Sequence, residues 1–413
     1  MNISIIVIGD EILLGQVTDT NSGEIARIIG SSNWTVNRVT TVGDNAADIT
    51  SAIESSLATS DIVITTGGLG PTKDDITKSV LLSIFGGELV QNEEVLQNVK
   101  EICEKRHIEL NELTRTQALV PSTAKIIQNR AGTAPIMWFE RGNSVLVTLP
   151  GVPHETSQMM KAEVFPRLLS KFGEDVTVSH RNLLVYGIIE SKIAEILDSW
   201  EDKLPECLHL AYLPVPGYVK LRLDGVHKDG KYINELLDRK AVELHELLGD
   251  AIFADEDLPV AEIALKELRK RGLTLSTAES CTGGNIAHNI TLVAGSSDVY
   301  MGSVVSYSND VKVRLLGVDE SLIDNLGAVS EPVAMQMANG VARATMTDCS
   351  ISTSGIAGPG GGSAEKPVGT VCIAIHTPDR EIVTTKFFPG NRSRIIDRAT
   401  TVALIMLIKS ITV

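Results

Sequence analysis

The sequence predicts an α/β protein, with a mostly parallel sheet and helices on both faces at the N-terminus, a small α+β connector, and a second α/β domain at the C-terminus. Three observations predict it. β-branched apolar runs such as Ile3-Ser4-Ile5-Ile6-Val7-Ile8 alternate with helical-period segments, as in sheets built from strand-helix-strand units. A chain of 413 residues is long for a single core. The pattern also changes character near residue 176 and again at the acidic, proline-containing stretch Ala254-Asp255-Glu256-Asp257-Leu258-Pro259. The expected domains are 1–172, 176–253 and 258–413.

In the first domain, the strand Ile3–Ile8 runs into Gly9-Asp10-Glu11. Helix Asn21–Gly30, strand Trp34–Val42, helix Ala47–Thr59 and strand Asp61–Thr65 follow. Each strand ends in a polar loop: Gly9-Asp10-Glu11, Gly43-Asp44-Asn45, and Thr66-Gly67-Gly68-Leu69-Gly70-Pro71-Thr72-Lys73-Asp74-Asp75. In open α/β sheets the ligand crevice lies beyond the carboxyl ends of the strands. Gly67, Gly68 and Gly70 would let backbone amides approach a phosphate. Asp10, Glu11, Asp44, Asp74 and Asp75 could hold a hard divalent cation through oxygen ligands. Each acid taken alone is equally well explained as a helix cap; three such loops at one sheet edge favour a site. Asn129 to Pro135, with Thr133 at its centre, is a further small-residue loop that could close over a ligand. The strand Val145–Leu149 leads through Pro150-Gly151-Val152-Pro153-His154 into a helix over Met159–Phe172.

The middle segment reads as strand Asn182–Ile188, helix Ser191–Trp200, a hairpin about Pro214-Val215-Pro216-Gly217, and a long helix Tyr232–Leu248. It carries no evident chemical constellation and reads as a connector that spaces or dimerises its neighbours; a homodimer is the expected assembly.

The third domain opens with helix Val260–Arg271 and the strand Leu273–Thr277. Then comes Ala278-Glu279-Ser280-Cys281-Thr282-Gly283-Gly284, leading into a helix. A strand-to-helix turn of this kind is expected to direct the first free helical N–H groups outward, toward an anion or a developing oxyanion. Plain N-capping is the competing explanation. Farther on stand Tyr307 and Lys312. A neutral lysine can activate a serine, often with a tyrosine hydroxyl as partner, but with an ordinary pKa of about 10.4 it must be buried or crowded by charge to lose its proton. Spacing alone leaves Lys312 equally readable as a solvated lysine at a helix start. Cys281 is a rival nucleophile if its thiol ionises at the helix N-terminus. Ser354-Gly355 opens the glycine-rich loop Ile356 to Gly362, and Arg392 and Arg394 start the last helix, where guanidinium groups could clamp a phosphate.

Composition excludes other classes. A net charge of −15, with 4% aromatic residues and no basic patch, argues against direct nucleic acid or anionic membrane binding. The five cysteines, odd in number and scattered, fit neither a disulfide framework nor a zinc knuckle. The apolar N-terminus lacks a basic start and reads as a buried strand, not a signal peptide. The expectation is a reduced, cytoplasmic protein without membrane contact.

Two ordered sets of motifs carry a resemblance. Gly-Asp-Glu-Ile-Leu-Leu-Gly-Gln with Asp19-Thr20-Asn21, the Thr66–Asp75 loop, Gly132-Thr133-Ala134-Pro135 and Leu149-Pro150-Gly151-Val152-Pro153 resemble the N-terminal domain of the competence/damage-inducible protein A (CinA) family. That domain has a molybdopterin-binding-like fold. Ala278–Gly284, Gly295-Ser296-Ser297, Tyr307-Ser308-Asn309 with Lys312, Gly327–Ser330, Gly355–Gly362, Lys366–Thr370 and Phe388-Pro389-Gly390 resemble the family's nicotinamide mononucleotide deamidase domain. The resemblance implies an amidohydrolase with Ser280 as nucleophile, Lys312 as base and Tyr307 as its hydroxyl partner. Thr282, Gly283, Ser354 and Gly355 would form the amide and oxyanion site, and Arg394 would hold the nucleotide phosphate. Ser354 stands where threonine is expected, with the hydroxyl retained. The deamidase would need no cofactor. The N-terminal domain would cleave ADP-ribose to AMP and ribose 5-phosphate with a divalent metal ion (Mg, Mn or Co). Two alternatives stand beside this: an N-terminal module that only binds a nucleotide or pterin and regulates the deamidase, and a competence-related interaction protein.

Overall fold

The computed structural model describes every residue except 31, 33, 73, 74, 174, 175 and 413. The chain divides into two compact units, Met1–Val178 and Ser179–Val413.

In the first unit, β1 (Ile3–Ile8), β2 (Val36–Val42) and β3 (Ile62–Thr66) precede a small antiparallel ribbon of β4 (Leu89–Gln91) and β5 (Leu119–Pro121). β6 (Lys125–Ile127), β7 (Ile136–Arg141) and β8 (Ser144–Leu149) complete the main sheet. Its order is β2-β1-β3-β8-β7-β6; β1, β2, β3 and β8 are parallel, and β7 runs antiparallel to both neighbours. β1 and β3 are buried along their whole length, as expected of strands covered on both faces. Separate apolar clusters on the two faces contain Ile3, Ile5 and Val7, and Ile6 and Ile8, in the alternation a strand imposes. Two boundaries differ from the sequence reading. β2 begins at Val36 because Trp34 packs edge-on against Phe165, with ring centroids 5.9 Å apart. The helix expected from Met159 starts at Pro153, where a proline at the first position leaves no N–H orphaned, and continues through one wide turn to Phe172.

The second unit contains two sheets. β9 (Thr177–Val185), β10 (Leu208–Val215), β11 (Tyr218–His227) and β12 (Ile252–Ala254) have the order β10-β11-β9-β12, with the β10–β11 hairpin closed by Pro216-Gly217. Helices Glu190–Glu201 and Gly230–Leu248 cover this sheet. β13 (Leu275–Glu279), β14 (Tyr300–Val305), β15 (Cys349–Gly355), β16 (Thr370–His376) and β17 (Glu381–Phe387) have the order β14-β13-β15-β16-β17. β13 lies inside the sheet, second from its edge, and parallel to both neighbours.

The expected strand Leu273–Thr277 is displaced to Leu275–Glu279. Gly272, with φ +66°, ends the preceding helix in the left-handed conformation, and the Leu273 N–H closes that helix on Leu268 O at 3.0 Å. The displacement puts Glu279 at the buried end of the strand. Polar residues within β13 are satisfied: Ser276 Oγ meets Thr347 Oγ1 at 2.7 Å, and Thr277 Oγ1 meets Tyr300 Oη at 2.7 Å.

Helix Glu331–Thr345 crosses helix Asn309–Leu316 closely at Gly340, where an added Cβ would lie 2.0 Å from the backbone oxygen of Leu316. A side chain there must push the two helices apart. Gly340→Ala is therefore expected to destabilise the unit by about 1–3 kcal/mol in a denaturant titration; an unchanged midpoint would contradict the packing account.

Candidate active site

The turn after β13 is anchored from three sides. The Ser280 N–H donates to Thr353 O at 2.9 Å, which ties the turn to β15, and the Gly283 N–H returns to Ser280 O at 3.1 Å. Gly283 and Gly284 have φ +62° and +98°, which only glycine adopts without strain. The third anchor is Glu279, which is completely buried. Its Oε2 accepts from Gly284 N at 3.0 Å, Ile286 N at 3.1 Å and Thr282 Oγ1 at 2.7 Å, and its Oε1 from Ala287 N at 2.8 Å. Four donors make burial of the carboxylate tolerable.

This corrects the sequence expectation at several atoms. The first N–H groups of helix Asn285–Thr291 are taken by Glu279 and do not face a ligand. The Gly283 N–H is spent within the turn, and the Thr282 hydroxyl is shared between Glu279 and Thr353 Oγ1, at 2.7 Å from the latter. The Thr282 N–H has no acceptor among the described residues.

Lys312 and Ser280, 32 residues apart, meet across this turn: Nζ lies 3.1 Å from Ser280 Oγ. Nζ also donates to Ser306 O at 2.7 Å. Helix Asn309–Leu316, capped by Ser308 Oγ on Val311 N at 3.3 Å, carries the lysine inward. Lys312 is 1% exposed, so it is not a solvated lysine. Burial lowers its pKa below the ordinary 10.5, because the low-dielectric surroundings disfavour the ammonium. Ser280 itself keeps partial contact with solvent. The geometry is that of a nucleophile open to a ligand with a proton acceptor behind it.

Cys281 points elsewhere. It is buried in the core beneath the helix, and burial, with Glu279 adding, pushes its thiol up to about 12. It stays protonated near neutrality and is not an activated nucleophile.

The remaining expected residues fall differently. Tyr307 is 64% exposed, and its Oη accepts from Arg392 Nη2 at 2.9 Å, not from Lys312. The chain leaves β14 extended, so Ser306 turns inward and Tyr307 outward. Ser354 is buried and donates through Oγ to Ala328 O at 2.6 Å, while Gly355 pairs with Val371, and an added Cβ would lie 2.7 Å from Thr370 O. Both brace the glycine loop and hold no open donor side chain toward Ser280.

Arg394 packs along Gly390 and lines a pocket with Pro214, Pro216 and Arg398. Arg392, two positions earlier, reaches the glycine loop, with Nη1 2.7 Å from Gly358 O. Residues two apart on a helix point about 200° apart, so only one of the pair could face this side, and helical phase was the signal that could have separated them. Glu279 and Ser306 are the site residues to which the sequence reading gave no role, and Arg392 is the one of the two expected guanidinium groups that reaches this side.

In the first unit, Glu11, Asp44, Gly67, Gly68, Gly70 and Asp75 line one cleft of about 520 Å³ at the carboxyl ends of β1 and β3. Its acids are largely engaged. The Asp10 N–H donates to Asp44 Oδ2 at 3.0 Å and the Asp44 N–H to Asp10 Oδ1 at 3.2 Å; Asp75 accepts from Gly70 N at 2.7 Å and Thr72 N at 3.0 Å. Asp74 lies outside the described residues. Among the described residues no three His, Cys, Asp or Glu converge to hold a metal ion.

The glycines are explained chiefly by packing. An added Cβ at Gly67 would lie 2.1 Å from Ile8 O, and one at Gly68 2.3 Å from Thr77 Oγ1. The Gly67 N–H donates to Leu149 O at 3.3 Å, so with Gly70 also spent, neither amide is open to a phosphate. Thr133 does not line the cleft; its loop is organised by Asn129, whose Oδ1 accepts from Ala131 N and Gly132 N at 3.0 and 3.1 Å. Asn21, which the sequence reading did not single out, does line it. Its Nδ2 donates to Thr66 Oγ1 at 3.0 Å and Gly151 O at 2.8 Å, while its buried Oδ1 has no partner among the described residues.

No helix among the described residues is long and apolar enough to cross a membrane. Comparison with known proteins matches all three segments of the chain. Residues 4–170 match the family described as "Probable molybdopterin binding domain", residues 180–254 the "Damage-inducible protein CinA KH domain", and residues 257–411 the "CinA C-terminal domain". A CinA-like protein of Flavobacterium psychrophilum is 41% identical over 416 residues, covering 100% of this chain and 99% of its own. One of Cytophaga hutchinsonii is 38% identical over 405 residues, covering 98% and 96%. The crystal structure of a competence/damage inducible protein from Agrobacterium tumefaciens is similar at 40% identity, covering 37% of this chain and 94% of its own, with a TM-score of 0.35. With full-length relatives at this identity and all three segments matched in order, the chain belongs to the CinA family.

Proposed function

We propose that the Ser280 site hydrolyses a carboxamide, with nicotinamide mononucleotide as substrate and nicotinic acid mononucleotide and ammonia as products. The observation that carries this reading is the buried Lys312 Nζ, 3.1 Å from Ser280 Oγ, where burial favours the neutral amine a general base requires. The resemblance of the Ala278–Gly284, Tyr307–Lys312 and Gly355–Gly362 motifs to a nicotinamide mononucleotide deamidase domain supports the substrate.

Lys312 takes the Ser280 proton as Oγ bonds to the carboxamide carbon. The tetrahedral adduct collapses with cleavage of the C–N bond, and ammonia leaves with the proton that Lys312 returns. Water then attacks the acyl ester, with Lys312 again as base, and the carboxylate product departs from a regenerated serine. The Thr282 N–H, without an acceptor among the described residues, is the oxyanion donor in this reading. Arg392, held between Gly358 O and Tyr307 Oη, supplies the guanidinium for the nucleotide phosphate in place of Arg394.

For the N-terminal cleft we propose binding of ADP-ribose. Cleavage there would need a divalent cation to neutralise the diphosphate and activate water, and Glu11, Asp19, Asp44 and Asp75 are carboxylates lining the cleft.

Ser280→Ala should reduce ammonia release from nicotinamide mononucleotide by at least ~10³-fold, whereas Cys281→Ala should retain most of it; the reverse ranking would transfer the nucleophile to the cysteine. Lys312→Met should also abolish turnover yet leave the melting temperature unchanged or higher, because it removes a buried amine. Activity should rise with pH through a Lys312 pKa below 10.5, since only the neutral amine accepts the proton; a profile falling over that range would contradict the assignment. For the first unit, ADP-ribose should bind in calorimetry and release AMP when Mg, Mn or Co is added, with Glu11→Gln losing release; binding without release under all three metals would leave a regulatory module.

A further inference from the structure

Ser306 is completely buried, and its Oγ has no hydrogen-bond partner among the described residues. A buried hydroxyl without a partner is costly and uncommon. This one hangs from the residue whose carbonyl receives the Lys312 Nζ–H at 2.7 Å, and whose own N–H is fixed to Glu279 O at 2.8 Å. Backbone bonds therefore hold Ser306 on both sides while its side chain is unengaged.

The inventory at Lys312 explains what such a hydroxyl could do. A charged lysine has three N–H donors, and the structure gives Nζ two acceptors, Ser280 Oγ and Ser306 O. The neutral amine has two N–H groups and a lone pair: one N–H meets Ser306 O, the lone pair faces the Ser280 hydroxyl, and one uncharged N–H is left over. Once Lys312 has accepted the Ser280 proton, that third N–H belongs to an ammonium and needs an acceptor in a place that water barely reaches, Lys312 being 1% exposed. The Ser306 hydroxyl belongs to the residue whose carbonyl already receives an Nζ–H at 2.7 Å, and a serine side chain has three staggered rotamers by which to turn.

We propose that Ser306 is a positioning residue whose hydroxyl, unpartnered in the resting enzyme, accepts the third N–H of Lys312 when the lysine takes the proton of Ser280. The fold tolerates an unsatisfied hydroxyl at rest because the charged form of the base requires it during turnover. This rests on the Ser280–Lys312 assignment above but not on the identity of the substrate. Glu279 and Cys281, on the strand and turn facing Lys312, stay engaged or protonated through the step. No other atom changes bonding: the proton moves from Ser280 Oγ to Nζ and later to the leaving group.

The test measures the reaction of Ser280 with a fluorophosphonate. The serine Oγ–P bond forms, the P–F bond breaks, fluoride departs, and the serine proton passes to Lys312, so the serine–lysine pair is read without nicotinamide mononucleotide. Ser306→Ala is expected to slow labelling of the full chain about tenfold to a hundredfold, and Ser306→Thr, which keeps the hydroxyl, to restore most of the rate. The melting temperature of Ser306→Ala should equal or exceed that of the wild type, because an unsatisfied buried hydroxyl has been removed; a purely structural role would lower it. Wild-type labelling rates in Ser306→Ala, or slow labelling accompanied by a lower melting temperature, would overturn the inference. Absence of ammonia release by a wild type that still shows Ser306-dependent labelling would overturn the nicotinamide reading and leave this inference standing.

Discussion

A lysine almost without access to water holds a charge only at a cost, and the C-terminal site depends on that constraint. Nζ of Lys312 is fixed by one carbonyl and one hydroxyl, and among the described residues no carboxylate pairs with it to keep it charged. Burial therefore acts in one direction, toward the neutral amine. The surrounding construction maintains that burial. β14 ends by turning Ser306 inward, helix Asn309–Leu316 projects the lysine under the turn, and Gly340 lets the next long helix close over Leu316.

The second constraint is the disposition of acids. Glu279 is buried beneath the nucleophile and accepts from three backbone N–H groups and Thr282. It fixes the turn so that Ser280 projects from a rigid base, a form of preorganisation that loop flexibility would lose. The first unit uses acids in the same manner, Asp75 holding Gly70 and Thr72 and Asp10 exchanging bonds with Asp44. In both units carboxylates that resemble ligand groups in the sequence shape the loops around a cleft.

Much of the fold was legible in the sequence because parallel strands buried on both faces are uninterrupted β-branched runs and their helices have a clear period. Helices Asn21–Gly30 and Val260–Arg271 lie where the pattern puts them. The errors fall where a single tertiary contact moved a boundary, as Trp34 against Phe165 delayed β2 and the Leu273 N–H closed a helix that seemed already finished. At the site, Ser280 and Lys312 were legible through ordered motifs. Which residue beside β14 meets the lysine was not, since Tyr307 and Ser306 are adjacent and it is the Ser306 carbonyl that receives Nζ. The choice between Arg392 and Arg394 likewise depends on helical phase at a terminus. Free amides could not be counted from sequence, because donors at Gly67, Gly70 and Gly283 are claimed by partners distant in the chain or by the turn itself.

The account stands on a neutral, buried Lys312 beside Ser280. Nuclear magnetic resonance titration of the full chain, labelled with ¹³C and ¹⁵N at lysine and assigned through Lys312→Met, reads that state directly. The account predicts a Lys312 signal titrating below 10.5. A Lys312 that titrates at or above that value would contradict it.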